Sequence, residues 1–191
     1  MQPPHAVTLH SQHEAEREIA RITTENMFNG AALPPPAGAQ RFPSPITLGP
    51  IDQAALASWR LRWENHPQRR VAWDWSALRR RFGHRPCRYE LAIHIQGNAV
   101  GLAVGRISHG RSVVRIDMIE GFPGPHPLKR WIIPVAVEFG SVLGQAYLAR
   151  HLRLIDPSPH VVRALHAMAR PFTFVARVSP MRYNHCQRTP P

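Results

Sequence analysis

Apolar and polar positions change period along this chain, and each change marks an element. From Cys87 the pattern is a strict alternation: "CRYELAIHIQ" sets Tyr89, Leu91, Ile93 and Ile95 on one face against Arg88, Glu90, Ala92 and His94 on the other. Gly97 and Asn98 then turn the chain into "AVGLAVGRIS", and after "HGR" follows "SVVRIDMIEG", a longer and more apolar run. Together these predict a three-stranded antiparallel meander. Upstream the period is helical. Asp52 caps "QAALASWRLRWENH", with Leu56, Trp59, Leu61 and Trp63 as apolar anchors. "WDWSALRRRFG" spaces Trp75, Leu78 and Phe82 for one helix face and stops at Gly83, ahead of Pro86. A short edge strand is expected at Ile46 to Leu48.

Beyond the meander, "EGFPGPHPLKR" (Glu120 to Arg130) leads into a long apolar helix ending near Ala149; if that helix begins as early as Pro127, proline is favoured there and the N–H groups of Leu128, Lys129 and Arg130 are available as donors. "HLRLIDPS" reads as a fourth strand, "PHVVRALHAMAR" as a helix and "FTFVARVS" as a fifth strand. Strand, helix and strand following a meander require part of the sheet to be parallel. The expected fold class is therefore α/β, a mixed central sheet of antiparallel meander plus strand-helix-strand, flanked by helices. The first 50 residues hold eight of the twenty prolines, and residues 1–44 read as a disordered tail, with a short helix in "SQHEAEREIARITTENM" capped by Ser11. Residues 45–180 form the folded domain and 181–191 a basic tail.

Charge adds a partner class. The net charge is +12, and Lys129 is the single lysine among 24 basic residues. The arginines are scattered, which fits an acidic partner (nucleic acid, acidic protein or phosphorylated cofactor) and equally fits a compositional bias toward arginine. Cys87 and Cys186 have neither metal nor redox spacing, so free thiols and a cytoplasmic protein are expected. The run from Trp131 to Ala149 approaches membrane-span length, but Pro134, Glu138 and Gln145 interrupt it, so no membrane association is expected. The twelve histidines offer no ligand spacing with a third partner, and no metal is expected.

Two helices, a three-stranded meander, a long helix, a strand, a helix and a last strand resemble the GCN5-related N-acetyltransferase family. The segments that carry the resemblance are "RYELAIHIQGNAVGLAVGRIS", "SVVRIDMIEG" and "LRLIDPSPHVVRALHAMARPFTF". It covers Pro45 to Val178 and implies acetyl-CoA as co-substrate and an amine acceptor. It also implies a cleft where the central strand splays from its parallel neighbour, with pyrophosphate on N–H groups leading into the long helix. "EGFPGPHPLKR" occupies that place but departs from the family's arginine- and glycine-rich loop. Pro123, Pro125 and Pro127 cannot donate. On this resemblance the cofactor residues are Ile119, Gly121, Phe122, Gly124, Leu128, Lys129 and Arg130, with the two cations compensating for missing donors.

For chemistry, the implied base is Glu120 at the end of the central strand, while Asp117 reads as a structural partner for an arginine. The family's tyrosine acid is missing. Ala167 stands at its place, and neighbouring His166 is the substitute, with Tyr147 and Tyr183 in reserve. The expected function is acetyl transfer to an unidentified amine. A fold of this kind that only binds a partner is the alternative, and a basic nucleic-acid-binding protein of another fold a third reading. A homodimer stays open.

Overall fold

The computed structural model describes residues 9–30, 42, 45–155 and 173–174, and through them runs one six-stranded sheet ordered β1 to β6. β1 (Thr47–Gly49), β2 (Arg88–Ile95), β3 (Asn98–Ile107) and β4 (Val113–Gly121) pair antiparallel in succession. β5 (His151–Leu154) lies parallel to β4, and β6 (Thr173–Phe174) parallel to β5. This is the mixed α/β sheet that the element order implied. The helix expected over "PHVVRALHAMAR" lies outside the described residues.

Helices cover both faces. On one, Tyr89, Leu91 and Ile93 pack with Val135, Phe139 and Leu143 of α4 (Ile132–Ala146). On the other, Ala92, Leu102 and Val104 meet Leu56 and Trp59 of α2 (Gln53–Arg62) and Trp75 and Phe82 of α3 (Trp75–Gly83). The second face of β2, read from sequence as its more polar side, is thus also closed, and Arg88 and Glu90 are buried there as an ion pair of 2.6 Å. The caps form as expected: Asp52 accepts from the Ala55 N–H at 2.8 Å, and Asp74 from that of Ala77 at 3.0 Å. Leu61 is not an anchor. Leu56, Trp59 and Trp63 recur at three- and four-residue spacing on the buried side, so Leu61 falls opposite and is 86% exposed.

The β2–β3 turn is one residue earlier than expected. Gln96 and Gly97 occupy its centre with φ of 50° and 75°, as a two-residue primed turn requires, and Asn98 already pairs with Ile95.

The N-terminal region differs most from expectation. α1 (Leu9–Gly30) is a 22-residue helix, not a short one, and it packs along α4 and β1. It lies beside the stretch of β2 that the three-residue β1 leaves unpaired. Arg17 Nη1 donates to the Pro86 carbonyl at 2.7 Å, and Asn29 exchanges two bonds of 2.9 Å with Ile46. A covered edge cannot recruit a foreign strand. Ile19 and Ile22 are exposed, while His13, Arg17, Ala20, Thr24 and Phe28 form the buried face. No helix among the described residues is long and apolar enough to cross a membrane.

Candidate active site at the open end of β4

β5 pairs over all four of its residues with the first four of β4. Their register runs from Val113 to Ile116, and the last bond is Ile155 N–H to the Ile116 carbonyl at 3.1 Å. Beyond it, among the described residues, β4 pairs with β3 alone. The departure begins at a bulge: Val104 opposes Met118 while Gly105 opposes Ile116, leaving Asp117 as the extra residue. Gly105 is required here, because a Cβ would stand 1.9 Å from the Arg115 carbonyl oxygen. Phe122 N–H donates to the Val100 carbonyl at 2.9 Å, so by the alternation of the ladder the N–H groups of Gly121 and Ile119 point away from β3, into the gap.

α4 closes the end of this gap. Gly101 and Gly121 are directly paired, and Ile132 stands over both; a Cβ on either would come within 3.0–3.2 Å of it. The helix begins at Ile132, so the earlier start at Pro127, open from the sequence, is not taken. Pro134 explains why. In a helix starting at Pro127 it would lie in the interior and break the ladder, whereas after Ile132 it falls in the first turn, where its missing N–H is not needed. Residues 127–131 form turns instead, with Lys129 N–H donating to His126 O (3.1 Å) and Trp131 N–H to Leu128 O (2.9 Å). Arg130 takes a left-handed φ of 73° to enter the helix.

These facts sort the expected cofactor residues. Ile119 and Gly121 line the open edge. Phe122 and Lys129 spend their N–H groups inside the fold. Leu128 is fully buried as a core anchor, and Gly124 lies against the Phe122 ring. Lys129 and Arg130 are exposed, and the Lys129 ammonium holds the loop by donating to Pro123 O (2.8 Å) and Gly124 O (3.3 Å).

Glu120 is not free to act as a base. Only 7% exposed, it receives Arg69 Nε at 2.7 Å and Nη2 at 3.0 Å, and the Trp75 indole N–H at 2.6 Å. Both oxygens are occupied by donors. Arg69 also binds the Trp73 carbonyl at 2.6 Å, so the pair pins the segment between α2 and α3 to the end of β4. Asp117 has the arginine partner that was expected, Arg115, at 2.6 Å. Tyr147 lies at the other end of α4, bonded to His13. His166 and Tyr183 lie outside the described residues.

Sequence reasoning missed the aromatic wall beside the gap. Phe122 is flanked by Trp63, His66 and His126, with the Arg62 guanidinium 4.6 Å from its ring centre. Burial, with the charges of Lys129 and Arg62 added, lowers His126 to about 4, so its ring is neutral at physiological pH. Among the described residues, Arg62 Nη1, Trp59 Nε1 and Trp63 Nε1 are buried without a hydrogen-bond partner. The sequence carried a faint signal, since four of the five tryptophans fall between positions 59 and 75.

No protein-family model matches the chain, and no curated protein does. Among solved structures it is similar to AAC(6')-Iy in complex with the bisubstrate analogue CoA-S-monomethyl-acetylneamine. The two share 17% identity over 70% of this chain and 99% of that one, with a TM-score of 0.41.

Proposed function

We propose that this protein binds acetyl-CoA in the gap between β4 and β5 and transfers the acetyl group to an amine. The observation that carries the reading is the edge of β4 beyond Ile116, where, among the described residues, the N–H groups of Ile119 and Gly121 have no partner and lead toward the N-terminus of α4. The amide-bearing arm of CoA fits that edge, since its carbonyls can extend the ladder past the last described β4–β5 bond. For the diphosphate the chain offers the unpaired N–H groups of Ile132 and Ile133 at a helix N-terminus, with Lys129 and Arg130 on the preceding turn. Bound acetyl-CoA would supply the acetyl group and the thiolate leaving group. The acceptor enters along Trp63, His66 and Phe122, where the orphaned donors of Arg62, Trp59 and Trp63 suit an acceptor carrying carboxylate or hydroxyl groups beside its amine. Neutral His126 stands at the mouth and can take a proton there, though it holds one weakly.

The occupied carboxylate of Glu120 favours a second reading, a protein that binds CoA without transferring the acetyl group. Isothermal titration with acetyl-CoA followed by thiol-release assays over a panel of amines separates them. Micromolar binding with thiol release supports transfer, and binding with no release supports the second reading. An absence of binding at millimolar acetyl-CoA overturns both. Replacing Lys129 and Arg130 together by alanine is expected to weaken CoA binding by roughly tenfold, the loss of a charge-assisted contact or two. Unchanged affinity would move the diphosphate off this turn.

A further inference from the structure

At the opposite end of α4, about 22 Å from Ile132 by helix rise, residues from three distant segments converge on one imidazole. Cys87, just before β2, has Sγ 3.4 Å from His13 Nε2. His13 Nδ1 lies 2.9 Å from Glu16 Oε2, and the Tyr147 hydroxyl is 2.6 Å from the same nitrogen. His13 is 1% exposed and Tyr147 stacks on it at 5.4 Å between ring centres, so the imidazole cannot turn away. Burial alone would raise Glu16, but bonds from Tyr147 and His13 and the charges of His13 and Arg111 outweigh it and hold the carboxylate below its usual range. Glu16 on Nδ1 orients the ring so that Nε2 faces the Cys87 sulfur. Nucleophile, base and orienting carboxylate therefore stand in the order that covalent acyl transfer needs.

We propose that Cys87, His13 and Glu16 form a second reactive centre, in which the Cys87 thiol accepts an acyl group from a small activated acyl donor such as a thioester or aryl ester. The Sγ–H proton passes to His13 Nε2 as Sγ bonds to the acyl carbon. The carbon–heteroatom bond to the leaving group then breaks, and His13 returns the proton to that group, leaving acyl-Cys87 and neutral imidazole. Cys87 is partly exposed while His13 is not, so a small reagent reaches the sulfur and bulk water does not reach the base. A hydrogen-bonded clamp between α1 and α4 would need neither a thiol at Cys87 nor an Nε2 facing it.

The test uses the full chain with Cys186→Ser, so that Cys87 is the only cysteine, and p-nitrophenyl acetate in buffer free of CoA and amines. Acetylation is followed by p-nitrophenolate release and located by peptide mass spectrometry. A stoichiometric burst on Cys87 is expected, about tenfold or more faster than on the same chain in guanidinium at equal pH. His13→Gln should slow it roughly a hundredfold, and Glu16→Gln by less, with circular dichroism confirming the fold of each. If Cys87 in the native chain reacts no faster than in the denatured one, the proposal is overturned, whatever becomes of the variants. A rate unchanged by a folded His13→Gln overturns it equally. Because no CoA is present, the result is independent of whether the β4 gap binds that molecule.

Discussion

At the scale of single residues, Glu120 shows how a side chain is legible by position and not by partner. A carboxylate at the end of a central strand beside a cleft was readable. Arg69, 51 positions earlier, was not, because nothing in "HPQRR" says which of two arginines folds back onto the sheet. Breaking one side of a buried ion pair leaves the other charge uncompensated. Arg69→Ala should therefore cost about 3–5 kcal/mol of unfolding free energy, and with Glu120→Gln the two losses should combine to less than their sum in denaturant titrations. Additive losses would mean that the contact carries no coupling. Leu61 was misplaced for a simpler reason: it lies on the wrong side of a helix whose three correct anchors were already in hand.

At the scale of elements, strands and helices were legible wherever a long period ran uninterrupted, as in β2, α3 and the body of α4. Their ends were harder. Pro134 held enough information to place the start of α4, since a proline tolerates only the first turn. The bulge in β4 had no mark within "VVRIDMIEG"; its signal was Gly105 on the neighbouring strand. Gly105→Ala would push a methyl group into backbone, so a loss on the order of 1–3 kcal/mol is expected, read as a lower urea midpoint. Gly101→Ala meets side-chain methyl groups of Ile132 and Ile93 at 3.0 Å, which yield more readily than backbone, and should lose less. The reverse order would show that the bulge is not the tight spot.

At the scale of the whole molecule, the mixed sheet followed from element order alone, while the role of α1 did not, because the prolines downstream of it made the entire region resemble a tail. Acid should weaken the assembly in two stages. His126 titrates at about 4 when folded against 6.5 when free, so between those values the unfolded chain binds more protons and stability falls as pH drops. His94, lowered by burial despite Asp52, adds to the same limb. Burial raises Glu14, but Arg17 and Arg88 outweigh it and bring it to about 2, so its contribution disappears as pH falls from 4.5 toward 2. Solvent screens this partly exposed carboxylate and keeps the second stage small. Thermal midpoints at pH 7.5, 5 and 3.5 should decline in that order, and His126→Gln should flatten the first step. A midpoint unchanged between pH 7.5 and 5 would contradict the assignment.

The docking of α1 also fixes an order of events during synthesis. It is the first described element to leave the ribosome, yet its partners Pro86 and Tyr147 follow Arg17 and His13 by 69 and 134 residues. Contacts of such separation form late, after the hairpins of β2, β3 and β4 have closed locally. α1 should thus be the last helix to dock and the first to leave, with amide protons exchanging faster than those of α4. Since His13 rides on that helix, the Cys87–His13 pair exists only once docking is complete, and the reactivity of one thiol becomes a clock for the final step of folding.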